Sequence, residues 1–129
     1  MSDARYLIVL RHAHASAGQI GQQDRDRGLS DIGEAEADAV AGFLAKHPRI
    51  ARVVSSPAVR TKQTTERVLA RLGYIDTRHD ERIYEATPGQ LIEVLEDHAD
   101  VPVLLLVGHN PGLESLVALL STGRTSEYR

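Results

Sequence analysis

The chain has no cysteine among its 129 residues. Disulfides and thiolate metal sites are therefore excluded, and the composition suits a reducing compartment. Charge of one sign is not in excess either: 15 Lys and Arg stand against 18 Asp and Glu, a formal net charge of -3. Nothing draws the whole surface towards nucleic acid or an anionic membrane, so any basic site must be local. Long apolar runs are missing too. The two strongest, residues 6–10 and 101–107, fall far short of the ~20 residues that span a bilayer. The first follows Asp3 and Arg5 and is shorter than a signal-peptide core. With no low-complexity tract and no internal repeat, the expectation is a cytoplasmic chain without nucleic-acid or membrane partners.

What remains is an ordinary globular composition, 42% hydrophobic and 26% charged. A chain of this length reads as one domain over residues 1–129 and can bury roughly two-thirds of the surface its unfolded form exposes. Short apolar runs alternate with helical patterns. Residues 5–10 read as a first strand and the polar, glycine-bearing 15–28 as a surface loop. Ser30 is the expected N-cap of a helix whose apolar positions Ile32, Ala35, Ala39, Val40, Phe43 and Leu44 predict its buried face, with Pro48 closing it. Residues 51–55 read as a second strand. Ser56-Pro57 then looks like N-cap and first residue of a helix that turns Val59, Val68, Leu69 and Leu72 inward and stops at Gly73. Residues 74–78 are a third strand, and Thr87-Pro88 opens a helix bearing Leu91, Ile92, Val94 and Leu95. After a strand at 101–107, Asn110-Pro111 repeats the cap-then-proline signature ahead of Leu113, Leu116, Val117 and Leu120. Strands alternating with helices predict a three-layer α/β/α fold with a mainly parallel central sheet.

In such sheets ligands bind outside the carboxyl ends of the strands, and histidine and arginine collect there. Leu10-Arg11-His12-Ala13 leaves the first strand, and His109 stands in the same relation to 101–107. Arg60 falls in the first turn of the helix opened by Ser56-Pro57. Phosphoryl transfer needs a nucleophile, donors for the equatorial oxygens and a proton for the leaving atom. Helix N-termini add unpaired amides and a positive dipole end. Taken singly, Arg60 is a solvated helix residue and His109 a helix cap. Together, at consecutive strand ends, they predict a phosphate site. His12 must be neutral to attack, and His109 donates best when protonated, so their environments are expected to push protonation in opposite directions.

Four stretches carry a further signal: Leu7-Ile8-Val9-Leu10-Arg11-His12-Ala13; Arg27-Gly28-Leu29-Ser30 with Gly33; Ser55-Ser56-Pro57 with Arg60 and Gln63-Thr64; and Val107-Gly108-His109-Asn110-Pro111. In this order, over nearly the whole chain, they make it resemble the histidine phosphatase superfamily, whose fold is phosphoglycerate mutase-like, and within it the SixA-type phosphohistidine phosphatases. The resemblance implies that His12 is the nucleophile of a covalent phosphohistidine intermediate. It implies that Arg11, Arg60 and His109 bind the phosphoryl oxygens, and that Glu85, in Tyr84-Glu85-Ala86-Thr87, is a proton donor. Asn110, Arg27 and His14 complete the expected substrate-binding set. No metal and no cofactor is expected, because two arginines and a histidine offset the charge. Ala13 stands where the commonest family form has glycine, and Gly28 where proline is frequent. Family members usually continue into at least one strand beyond a point such as Ser126-Glu127-Tyr128-Arg129, so the expectation is either an unusually short protein or a domain lacking a C-terminal strand, with an exposed sheet edge as the result.

His14 lies two residues from His12, and with His109 the pair could compose a three-histidine metal site. The arginines would repel a cation, and His14 is better read as lining the pocket mouth. The run Asp24-Arg25-Asp26-Arg27 reads as a solvated loop from which Arg25 or Arg27 can reach a substrate. The short connection between Arg60 and Glu85 leaves no room for a cap domain. That predicts an open site suited to a phosphorylated protein, with a small phosphorylated substrate as the main alternative. A module that reads phosphate without turnover is the alternative of another class.

Overall fold

Side chains alternate between two cores along one strand, and that alternation sets the layering. The computed structural model describes residues 5–47 and 49–122. Pro48, expected to close the first helix, and residues 123–129 lie outside the described residues. The strands are β1 (Tyr6–Arg11), β2 (Arg52–Ser55), β3 (Asp76–His79) and β4 (Val103–Gly108), and the helices are α1 (Asp31–Leu44), α2 (Val59–Leu72), α3 (Pro88–Asp97) and α4 (Gly112–Thr122). Val103, Leu105 and Val107 of β4 face a core shared with Ala41 and Leu44 of α1 and Val68 of α2. Leu104 and Leu106 face the opposite core, shared with Leu91 and Val94 of α3 and Leu113 and Leu116 of α4. A strand covered on both faces has no polar side, hence the unbroken apolar text of 103–107.

The sheet order is β1-β4-β2-β3, and every pairing is parallel. The register aligns Arg11 with Gly108 and Ser55 with Val107. Three strands therefore end at one level, and the residues just beyond them (His12, Ser56 and His109) emerge side by side. The alignment continues past the strands: the His12 amide donates to the Gly108 carbonyl at 3.0 Å, and the Ser56 amide to Val107 at 3.1 Å. At the opposite rim, Arg52 ties the start of β2 to Asp76 and Asp100. Among the described residues no helix is long and apolar enough to cross a membrane.

The helix starts test the capping expectations. The Ser30 side chain accepts from the Gly33 amide as an N-cap, worth about 1 kcal/mol. Thr87 forms a full capping box with Gln90. Gly73, with φ 88°, ends α2. Ser56-Pro57 is different: α2 begins at Val59 after Ala58, which offers no side-chain cap, and the Ser56 hydroxyl takes the Ala58 amide instead. Similarly α4 starts at Gly112 rather than on Pro111, and Asn110 caps it by accepting the Glu114 amide at 3.1 Å.

The buried face of α1 also differs from expectation. Gly33, Ala37, Ala41 and Leu44 point inward, whereas Ile32 and Phe43 stay 64% and 60% exposed. The reason is distance. At Gly33 a Cβ would sit 2.0 Å from the His14 carbonyl oxygen, so the helix rides too close to the β1 exit loop for a large side chain. We expect Gly33→Ala to destabilise the protein by about 1–3 kcal/mol through overpacking, read as a lower denaturation midpoint with an unchanged m-value.

Candidate active site

The sheet delivers His12 and His109 to one rim with ring centroids 5.2 Å apart. His12 Nδ1 lies 2.7 Å from the Ala13 carbonyl. A carbonyl only accepts, so Nδ1 carries the proton and Nε2 keeps a free lone pair. The same Ala13 donates its amide to Thr64 Oγ1, which in turn donates to the Arg60 carbonyl. One threonine thus ties the nucleophile's loop to the helix turn that bears Arg60.

Arg60 is buried, 6% exposed, and its guanidinium is clamped from outside. Nη1 donates to the Asp24 carbonyl at 2.8 Å, and Nη2 to the Asp24 carboxylate at 3.0 Å. Asp24 also receives Arg27 at 2.9 Å and the Tyr84 hydroxyl. These three donors, Tyr84 first, hold its carboxyl far below the usual carboxylate range. Tyr84 in turn meets the His109 ring edge-on at 5.4 Å, and Arg25 reaches Glu81 at 2.9 Å. The segment 24–26 is exposed, as its charges predict, with no buried residue, but it is not a free loop. It is a 3₁₀ turn strapped across the rim onto Arg60 and Tyr84.

Asp24, Arg60, Tyr84, Glu85, His109 and Asn110 line a cleft of about 400 Å³. His12 lines a second hollow with Arg11, Ala13 and Thr64. Among the described residues two buried side-chain atoms have no hydrogen-bond partner, Arg60 Nε and His109 Nδ1. Unpaired buried polar atoms are rare because each costs the desolvation of its group, and both of these belong to residues that line one cleft. Glu85 has φ 55°, a conformation uncommon for any residue but glycine and one that collects at functional sites. Its position is held by the close pass of Ala86 to Gly112, where a Cβ would lie 2.8 Å from the Ala86 oxygen.

The nominated residues divide accordingly. His12, His109 and Arg60 converge, and Glu85 and Asn110 share the cleft lined by His109 and Arg60. Arg11 ends β1 exposed, and its charge acts on His12. Arg27 stands one step back: its nitrogens engage Asp24 and the Ser16 carbonyl. His14 turns away. Its ring meets Ser30 Oγ at 2.7 Å and its amide meets Glu36. Among the described residues no three His, Asp or Glu side chains converge on a metal position. Sequence reasoning missed Asp24, Tyr84, Ser56 and Thr64 as parts of the site; the last two lay inside the motif text and Tyr84 beside it.

The expectation of opposed histidines is corrected. Burial, then the charge of Arg60, pushes His109 down from 6.5 to about 4. Burial and the nearby arginines also lower His12, against the Ala13 carbonyl, which raises it. Both rings are neutral at neutral pH, because a half-buried rim crowded with guanidinium groups favours no further cation. Stability follows. The unfolded chain protonates His109 below pH 6.5 while the folded one resists to about 4, so stability is full above pH 6.5 and declines as pH falls towards 4. Between about pH 7 and pH 5 this one residue should cost the native state roughly 2 kcal/mol. Denaturant melts at both pH values test it: His109→Gln should lose correspondingly less than the wild type.

Comparison with known proteins follows the same lines. Residues 7–103 match the model of the histidine phosphatase superfamily (branch 1). An uncharacterized chloroplastic protein of Arabidopsis thaliana is 33% identical over 93% of this chain and 61% of its own length. An uncharacterized protein of Mycobacterium tuberculosis is 40% identical over 88% of the chain and 70% of its own. The chain thus spans about three-fifths to seven-tenths of these relatives. Among solved structures, one assigned as phosphohistidine phosphatase SixA from Agrobacterium tumefaciens superimposes with TM-score 0.83 at 32% identity, covering 88% of this chain and 75% of that one. The protein histidine phosphatase SixA complexed with tungstate gives 0.80 at 26% identity, with the same coverage.

Proposed function

We propose that this chain, which belongs to the histidine phosphatase superfamily (branch 1), is a metal-independent phosphatase that acts through His12 and takes phosphohistidine in proteins as its substrate. One observation carries the reading: the Ala13 carbonyl fixes the proton of His12 on Nδ1, leaving Nε2 unprotonated beside the unpaired donors of Arg60 and His109. In the first step Nε2 bonds to phosphorus, the bond from phosphorus to the leaving nitrogen or oxygen breaks, and Glu85 supplies the leaving atom's proton. In the second step water attacks the phosphohistidine, Glu85 takes the water's proton, and inorganic phosphate leaves with His12 restored. Arg11, Arg60 and His109 hold the equatorial oxygens, so guanidinium charge stands where other phosphatases place a metal.

Charge and shape favour a phosphorylated side chain. Arg27 and Arg60 bind the Asp24 carboxylate and Arg11 adds its charge near His12; three positive charges less one leave two, enough for a single phosphoryl dianion. Among the described residues Arg25, which stands over Tyr84, is already paired with Glu81, so a second carboxylate or phosphate on a small substrate would have to break an existing ion pair. Between Arg60 and Glu85 the chain is taken up by the rest of α2, β3 and a 3₁₀ turn at Glu81–Ile83, with no inserted cap to enclose a metabolite.

The test uses an aryl phosphate with and without chelator, then a phosphohistidine-bearing protein beside a panel of small phosphomonoesters. Chelator-resistant hydrolysis that is fastest on the protein supports the proposal. Chelator-sensitive activity removes the metal-free mechanism, preference for a small ester moves the substrate class, and phosphate binding without turnover leaves a phosphate-reading module.

A further inference from the structure

Ser56 is fully buried, 0% exposed, and lies where β2 ends, level with His12 and His109. Its hydroxyl oxygen already accepts the Ala58 amide at 3.2 Å. Its backbone is engaged as well: the amide donates to Val107, and the carbonyl receives Ser55 and Thr61. The hydroxyl proton needs an acceptor, since a buried donor left unmade costs its desolvation. His109 Nε2 stands 2.7 Å away. If Nε2 held the ring proton, the hydroxyl oxygen would accept it with its second lone pair, and the hydroxyl's own proton would be left without an acceptor. If Nε2 holds the lone pair, each atom in the row is satisfied and the ring proton sits on Nδ1.

We infer that Ser56 is a positioning residue for phosphoryl transfer: through the row Ala58 N–H, Ser56 O–H, His109 Nε2, it fixes His109 as the Nδ1–H tautomer and aims that proton into the cleft. Nδ1 is the buried ring atom without a hydrogen-bond partner, so its proton is not committed to another group of the protein. The row also explains how a neutral His109 can serve as an oxyanion donor, since a fixed tautomer presents an N–H where a freely exchanging ring would present a lone pair in a share of molecules. A histidine whose second nitrogen is held by a neighbour is the usual way proteins set ring polarity. The inference rests on the phosphatase reading only for its consequence, not for the tautomer.

The experiment separates the two. Nitrogen-15 imidazole spectra of the full chain report which ring nitrogen of His109 is protonated, with His109→Gln supplying the assignment. The wild type should show the proton on Nδ1, and Ser56→Ala should show a mixed population. Ser56→Ala should also lower kcat on an aryl phosphate about tenfold and weaken competition by inorganic phosphate to a similar extent, with Ser56→Thr restoring both. A wild-type proton on Nε2 overturns the inference without any variant. So does a Ser56→Ala protein whose tautomer and kcat match the wild type. A proton on Nδ1 that becomes mixed in Ser56→Ala, in a chain that hydrolyses no phosphate compound, upholds the row and overturns the phosphatase reading alone.

Discussion

Replacement of His12 by alanine should lower turnover by at least about 10⁴-fold and abolish the phosphoenzyme, because no other group in the cleft can replace a nucleophile. His109 is 5.2 Å away but presents Nδ1–H rather than a lone pair, and its Nε2 is taken by Ser56. The fold should survive the change. His12 is only half-buried, its ring makes one hydrogen bond, to Ala13, and its removal leaves the main-chain link from Ala13 to Thr64 in place. Rapid acid quench followed by mass measurement should find one added phosphoryl group on the wild-type chain and none on His12→Ala, with nearly equal denaturation midpoints. Turnover that persists in the variant would show that the chemistry lies elsewhere. The same nucleophile sets the acid limb of kcat/KM. Since the arginines and burial lower His12, activity should hold below the pH at which an ordinary histidine protonates, and an acid limb at or above pH 6.5 would contradict the geometry.

Much of this site was legible because its parts sit at strand ends, and strand ends are written in apolar runs. Leu10-Arg11-His12 and Val107-Gly108-His109 each follow such a run, and parallel register alone brings them together. Arg60 was readable from its place in the first turn of the helix that follows the second strand. What escaped depends on contacts between segments far apart in sequence. Asp24 looks solvated among alternating charges, and nothing local shows that it closes on Arg60, thirty-six residues later. Ser56 before a proline has the look of a helix cap, yet tertiary geometry turns its hydroxyl to a histidine from another strand. On α1 the apolar count favoured Ile32 and Phe43, whereas close approach selected the small residues Gly33, Ala37 and Ala41. Protonation was the hardest to foresee. Need alone suggested a charged His109, but its buried place beside Arg60 keeps it neutral.

Arg60→Ala should cost about 10²–10³ in kcat/KM, the usual price of one well-placed oxyanion donor. The argument for a loss this large is that Arg60 does two things at once. Its Nε is buried without a partner, whereas both Nη atoms are held by Asp24, so the planar fork is fixed before any anion arrives and loses little freedom on binding. Lysine cannot imitate this, since a single ammonium on a flexible stem cannot bind Asp24 at two points and leave a third donor for the phosphoryl group. Arg60→Lys should therefore recover little of the lost rate. Asp24→Asn makes the complementary case: Arg60 keeps its charge and loses the carboxylate that orients it. If orientation matters more than charge, Asp24→Asn lowers kcat/KM, and the double variant with Arg60→Ala is no worse than Arg60→Ala alone. If Asp24 instead competes with the substrate for Arg60, Asp24→Asn raises phosphate affinity. The fixed, three-point hold on Asp24 by Arg27, Arg60 and Tyr84 points to the first outcome, because a carboxylate so deeply engaged would be costly to displace each time a phosphoryl group entered.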